Sequence, residues 1–369
     1  MQTYDFAVVG GGASGLVAAI AAARRGKRVV VLEQNPRIAK KLLATGNGKC
    51  NLLPAARIKG DYNTDFVESV LGAYSVSDVR RFFRSIGLPT REEGGRIYPY
   101  SLEASSVVNV LRRGLDAEGV TVMTDFGVRS IEKGNPFLIR SHQSAVAAHR
   151  VLVAVGSAAG GGKDSLFLLQ PFGLQPAKRV PSLAPILTDA RYVRGLRGVR
   201  MPCKVSLAID GNVVASVCNE IIFKDNGISG SAIFDLSVEY ARRGAPQNAV
   251  LYLDFVPECS VEEVETLVRE CGDALLHRAV YQLLAGQTPR ATAERIKHYV
   301  VPIKGAGHPD LAQVISGGIS VDAVDPVTLE VRSCPGLYLA GEALDVDGIC
   351  GGFNLYWAWA SGLTVGNNV

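Results

Sequence analysis

The stretch YDFAVVGGGASGLVAAIAAARRGKRVVVLE, residues 4–33, leaves a chain few ways to fold. An apolar run ends in three glycines, an alanine-rich segment follows and stops at Gly26, and a second apolar run ends at Glu33. That order predicts a strand, a helix and a second strand joined by a right-handed crossover. Gly10, Gly12 and Gly15 stand at G-x-G-x-x-G spacing at the strand-to-helix turn. The first glycine permits the turn, the second lets backbone approach a pyrophosphate, and the third lets helix and strand pack closely. Ala13 and Ser14 open the helix, whose free N–H groups and positive dipole end suit phosphate. Glu33 is placed to accept hydrogen bonds from a ribose diol, and its charge disfavours a 2′-phosphate. The choice is between NAD and FAD.

Three later stretches favour FAD. Residues 34–53, QNPRIAKKLLATGNGKCNLL, form a loop rich in glycine and lysine where an NAD dehydrogenase would continue its strand-helix alternation. RVLVAVGSAAGGG, residues 150–162, is another buried strand running into glycine, with no second dinucleotide fingerprint. PGLYLAGE, residues 335–342, ends a strand at Gly341 and Glu342, the arrangement in which many flavoproteins bond the ribityl chain.

Bulk properties exclude several other classes. At 369 residues with 47% hydrophobic and 20% charged content, the chain has ample core and exceeds one typical domain. A net charge of +4 tolerates an anionic ligand without announcing nucleic acid. Seven scattered cysteines, with no C-x-x-C pair, argue against a disulfide framework or structural zinc and fit a reducing cytoplasm. The run 6–23 has an acid before it and glycines inside it, so it does not read as a signal peptide. No segment is apolar for long enough to predict a membrane span.

The combination of DFAVVGGGASGL, KKLLATGNGKCN, GGRIYP, NGISGSA, SGGIS and GLYLAGEALDVDGICGGFNLYWAWASG resembles the BaiN/RdsA family of FAD-dependent flavoproteins, also known as aminoacetone-oxidase-like. The matches fall along most of the chain. The resemblance implies an α/β fold: a glutathione-reductase-like Rossmann FAD domain, split in sequence, with a β-barrel-like insert and a small helical subdomain. Read onto this chain, the FAD domain covers residues 1–182 and 306–369, the β-rich insert 183–257 and the helices 258–305. The family commonly has proline where this chain has Ser231.

It further implies FAD contacts from Gly10, Gly12, Ala13, Ser14, Gly15, Glu33 and Gln34, and from Lys41, Gly46, Asn47 and Asn51 of the lysine loop. Val128, Ala154, Val155, Gly156, Gly341, Glu342, Gly352, Phe353 and Asn354 complete the set. The implied activity is reduction of an activated C=C bond, with NAD(P)H as a transient reductant visiting the same cleft. The bond belongs to a steroid or bile-acid-type intermediate, or to uridine in ribosomal RNA. A flavin amine oxidase producing peroxide is the enzymatic alternative, and a non-catalytic flavin-binding or RNA-interaction protein the alternative of another class.

Other candidates come from the residues themselves. Asp347, Cys350 and Cys50 are the candidates for proton transfer near the flavin. Asp345 and Asp347 lack a histidine partner, which argues for turn capping over a metal site, and no metal is expected. Arg191, Arg194, Arg197 and Arg200 recur every third residue in a glycine-broken segment, an expected irregular loop that could contact RNA phosphates. Gly351 and Gly352 are expected to let backbone lie against the flavin edge, ahead of a helix from about Phe353 whose N–H groups face the ring.

Overall fold

The computed structural model describes residues 2–58 and 60–369. It divides into two compact units, residues 1–179 with 314–369, and residues 180–313.

The first unit is built on the expected crossover. Thr3–Val9 and Val29–Leu32 are strands, and Ala13–Arg24 is the helix between them. Both strands are almost wholly buried, which is why they read as continuous apolar runs instead of alternating ones. Thr121–Met123 lies parallel outside Val29–Leu32, while Ala145–Val153 lies parallel on the other side of Thr3–Val9. The far edge of Ala145–Val153 is shared. Phe137–Arg140 pairs antiparallel with its first half, and Leu337–Leu339 pairs parallel with Val151–Val153. The last strand, about two hundred residues downstream, thereby completes the N-terminal sheet, so the domain is split in sequence.

The C-terminal helix, Phe353–Asn368, packs on Ala13–Arg24 through glycine. A methyl group on Gly362 would lie 2.3 Å from the Ser14 carbonyl, and one on Gly366 would lie 2.5 Å from that of Ala18. Trp357 and Trp359 are buried on the remaining faces, each donating its indole N–H to a backbone carbonyl, Gly341 and Leu52 respectively. Burying indoles with their N–H groups satisfied secures their large apolar area without a stranded donor.

In the second unit, the antiparallel sheet runs in the order Tyr299–Pro302, Ala249–Asp254, Arg200–Ile209, Asn212–Lys224, Gly227–Ser229, Ile186–Leu187 and Gly305–Ala306. The sequence suggested charged helical stretches over residues 261–284 and 289–300. The chain instead breaks at Gly272 into Val261–Cys271 and Arg278–Leu284, followed by Pro289–Lys297. Val264, Val268, Val280, Leu284, Ala293 and Ile296 share one apolar cluster with the strands, so sheet and helices form one unit. Ser231 opens the helix Ser231–Arg242 at its first position, where proline's fixed φ is well suited, and the helix forms without it.

Candidate active site

The three fingerprint glycines do different work. Gly10 has φ +111°, and a methyl group there would lie 2.4 Å from the Ala154 carbonyl, so glycine lets two parallel strands meet at the turn. A methyl on Gly15 would lie 2.1 Å from the Gly10 carbonyl. Around Gly12 nothing stands within 4 Å of that position. The turn is thus filled from behind and open in front, as backbone approach by a pyrophosphate requires. Ala13 and the buried Ser14 form the first turn of the helix.

Glu33 is buried, its carboxylate held between backbone groups. Oε2 accepts from Gly11 N–H at 2.9 Å, and Oε1 accepts from Asn35 N–H at 2.8 Å and from Asn35 Nδ2. The acid is fixed beside the glycine turn with lone pairs left for a diol. Gln34 and Val128 are partly buried, and Phe126 N–H bonds the Glu33 carbonyl, which brings the Val128 segment alongside.

Residues remote in sequence form a polar cluster at the far end of the strand Ala145–Val153. Lys41 Nζ lies 2.8 Å from Glu342 Oε2 and 3.3 Å from Ser157 Oγ, and Ser157 Oγ donates to Glu342 Oε2 at 3.2 Å. Gly156 faces this cluster, and Ala154 and Val155 lead into it. Gly341 is clamped from three sides: its N–H donates to Ser361 Oγ, its carbonyl accepts from Trp357 Nε1, and a methyl would meet Ser14 Oγ at 2.7 Å. Sequence patterning flagged Lys41 and Glu342. Ser157 and Ser361 were missed, because a lone serine, after a strand or inside a helix, carries no signal of its partner.

The lysine loop folds into 3₁₀ turns over Lys40–Gly48, with Gly46 and the exposed Asn47 both left-handed. The loop ends at Asn51, whose Oδ1 is buried without a hydrogen-bond partner, an acceptor awaiting a donor. At Gly352 the neighbouring chain sets a constraint of its own. A methyl there would lie 2.8 Å from the Leu53 carbonyl carbon and 2.9 Å from Asn51 Oδ1, so glycine is required by the neighbouring chain. Phe353 begins the helix as expected, buried, and its carbonyl accepts from Tyr62 OH at 2.7 Å. Asn354 closes the preceding turn, accepting from Gly348 N–H and donating to the Gly348 carbonyl.

The candidates for chemistry separate. Cys50 is fully buried, and burial pushes its thiol up to about 11, so it is protonated at neutral pH. Cys350 is partly exposed in the turn before Gly351. Asp347 is buried, its backbone exchanging hydrogen bonds with Asn63 through Asp347 N–H to Oδ1 and Asn63 N–H to the Asp347 carbonyl. Asp345 sits beside Gly317, bonded by the Gly317 N–H and by Asn63. Burial raises its carboxyl above the ordinary range, and those bonds and the charge of Arg179 pull the other way. Arg179 itself carried no sequence signal. Its three guanidinium nitrogens are buried and make no hydrogen bond.

The basic segment is irregular from Val193 to Val199, after a short turn at Ala190–Tyr192, but Arg200 opens the strand Arg200–Ile209 and so departs from the expected loop. Arg191, Arg194, Arg197 and Arg200 are all exposed; Arg197 pairs with Asp225, and Arg191 lies over the Tyr192 ring. Among the described residues no three potential metal ligands cluster, and no helix is long and apolar enough to cross a membrane.

The HI0933-like protein Rossmann domain family matches residues 4–368. The chain belongs to that family. It is 33% identical to the 3-dehydro-bile acid delta(4,6)-reductase of Clostridium scindens, with 97% of each chain covered. It is 26% identical to the ribosomal RNA dihydrouridine synthase of Haemophilus influenzae, with 98% of this chain and 97% of that one covered. These are the two branches of the BaiN/RdsA resemblance drawn from the motifs. Among solved structures, the 3-ketosteroid delta1-dehydrogenase of Sterolibacterium denitrificans aligns over 100% of this chain and 99% of its own, with a TM-score of 0.52 and 13% identity. A 3-ketosteroid-delta4-(5alpha)-dehydrogenase from Rhodococcus jostii aligns over 99% and 97%, with a TM-score of 0.50 and 15% identity. The fold is shared with these proteins, and the chain is an enzyme, an FAD-dependent oxidoreductase.

Proposed function

We propose that this enzyme uses NAD(P)H to reduce a carbon–carbon double bond conjugated to a carbonyl group. The observation that carries the reading is the pair of full-length relatives, one a delta(4,6)-reductase of 3-dehydro-bile acids and one a dihydrouridine synthase. A 3-oxo-4,6-diene and the uracil ring share one reactive unit, C=C next to C=O. The higher identity to the bile acid reductase favours a small-molecule enone of steroid type. Exposed Arg191, Arg194 and Arg200 support uridine in ribosomal RNA as the second reading.

The residues present fit FAD. Glu33 would hold the adenosine ribose, and Gly12, Ala13 and the helix N-terminus the pyrophosphate. The Lys41–Ser157–Glu342 cluster would meet the ribityl hydroxyls and phosphate, and the unpartnered Asn51 Oδ1 would accept a ring N–H. Bound FAD supplies two-electron chemistry, taking hydride from a nicotinamide and passing it to carbon. The protein's part is to fix the ring, exclude water and deliver a proton to the second carbon. Asp345 and Asp347, on the segment between Glu342 and Gly352, and Cys350 are the groups nearest that task in the chain. The fold has one dinucleotide fingerprint, so the nicotinamide would visit and leave before substrate binds. Seven free cysteines support a reducing, cytoplasmic setting.

Anaerobic mixing with NADH or NADPH should bleach the flavin within seconds, and a 3-oxo-4-ene steroid should restore its colour. Failure of both coenzymes, with bleaching by an amine and peroxide on admitting air, would mark an amine oxidase and sink the reading. Mapping of dihydrouridine in ribosomal RNA from a deletion strain decides between the two substrates.

A further inference from the structure

A buried guanidinium without a hydrogen-bond partner is expensive, because neither water nor protein satisfies its donors. Arg179 is such a group, with all three nitrogens buried and unbonded. Its surroundings are specific. The preceding segment runs along residues 317–319, with Ala177 N–H bonded to the Gly318 carbonyl. The Lys178 carbonyl presses so closely on Gly317 that a methyl there would lie 2.4 Å from it. The next segment over continues the arrangement, with Asp345 N–H bonded to the Ile319 carbonyl. Arg179 and Asp345 therefore flank Gly317, and Ser316 beside it has a second buried, unpartnered polar atom in Oγ. Through Asp345 this cluster includes part of the Glu342-to-Gly352 segment, which carries both the glutamate paired with Lys41 and Asp347. Asn63 ties it down, bonding Asp345 and Asp347.

We propose that the Arg179 guanidinium is the binding site for the substrate's carbonyl oxygen. The inference rests on the enone-reductase reading and deepens it. Hydride addition to the β carbon of a conjugated carbonyl breaks the C=C π bond and moves an electron pair onto the carbonyl oxygen. Two electrons leave the reduced flavin, and a proton taken up at the α carbon completes the saturated ketone. A cation on that oxygen binds the ground state weakly and the developing enolate strongly, which is how a fixed charge lowers this barrier. Asp345, within electrostatic range of the same arginine, offsets part of its charge and leaves its N–H donors without an acceptor. An orphaned cation is tolerated where its ligand supplies the missing partner.

The test uses the FAD-loaded enzyme and its Arg179→Met and Arg179→Lys variants. Phenolates mimic the enolate and report binding through a long-wavelength charge-transfer band with oxidised flavin, without turnover. The expected result is loss of phenolate affinity by about 30-fold or more in Arg179→Met, with partial recovery in Arg179→Lys. Reoxidation of the dithionite-reduced enzyme by a 3-oxo-4-ene steroid should slow by about 10²-fold, while reoxidation by ferricyanide, which needs no carbonyl site, is unchanged. The midpoint of thermal unfolding should hold or rise in Arg179→Met, because three buried donors without acceptors have gone. Unchanged phenolate affinity, no phenolate binding by the parent, or loss of FAD or stability in Arg179→Met would overturn the assignment. If phenolates bind through Arg179 but no enone reoxidises the parent, the arginine site stands and the enone-reductase reading falls.

Discussion

Cys50 shows what the position of a residue decides about its chemistry. The lysine loop is rich in features that suggest reactivity, and its thiol is one of the candidates for proton transfer. In the fold the side chain is fully buried, and burial lifts the thiol to about 11, opposed only by a bond from Thr45. Because the folded state holds this proton more tightly than the unfolded chain, its contribution to stability is whole below about pH 9 and is lost as pH rises through 11. Iodoacetamide at pH 8 should therefore label the exposed Cys218 and Cys271 and spare Cys50 until the chain unfolds. Labelling of Cys50 in the native enzyme at a rate like that of Cys218 would contradict this. Lys41 and Glu342 make the complementary case, two surface-type residues joined across 301 positions by the sheet between them.

At the scale of the element, the strand-turn-helix unit separates folding from binding, since its glycines serve different ends. Gly15→Ala would drive a methyl into the Gly10 carbonyl, and should destabilise the protein by roughly 3 kcal/mol. Gly12→Ala meets no protein atom and has an ordinary φ of −93°, so the apoprotein should unfold at the parent's denaturant midpoint. The methyl would stand where the pyrophosphate must lie, and FAD affinity should fall by about 10–100-fold, one to three kcal/mol. Equal FAD affinity in parent and Gly12→Ala would place the cofactor elsewhere. The C-terminal helix follows the same logic with Gly362 and Gly366, whose missing side chains let it lie against the first helix.

Over the whole molecule, the residues proposed to hold FAD all lie in one unit, and its effects should be confined accordingly. FAD at a hundred times its dissociation constant should add about 2.7 kcal/mol to stability. Hydrogen exchange should slow at residues 10–15, 41–51 and 341–353 on adding FAD, and stay unchanged through residues 200–224. Slowing confined to the second unit would contradict the assignment. That unit is where the exposed arginines lie, and its sheet and helices share a single core. If ribosomal RNA is bound there, affinity should fall steeply with salt and the slope should shrink on replacing Arg191, Arg194 and Arg200. A flat salt dependence would remove that reading.

Local chemistry was readable in advance. The crossover, the glycine spacing, Glu33 and the strand ending at Glu342 follow from apolar periodicity and backbone constraints, which act over a few residues. The helix from Phe353, with its tryptophans buried, was readable for the same reason. The break at Gly272 was not, since a helical pattern continues on both sides and a glycine at positive φ decides the issue. Nor was the reason for Gly352, whose constraint is Asn51 and Leu53, three hundred residues earlier. Arg179 lies at the limit of such reading, because one arginine in a loop has no pattern around it. The sequence by itself determined the fold class, the cofactor and the family; only the tertiary structure decided which side chains stand together and which buried polar groups lack a partner. Those facts depend on burial and on contacts between distant segments, neither of which exists until the chain has folded.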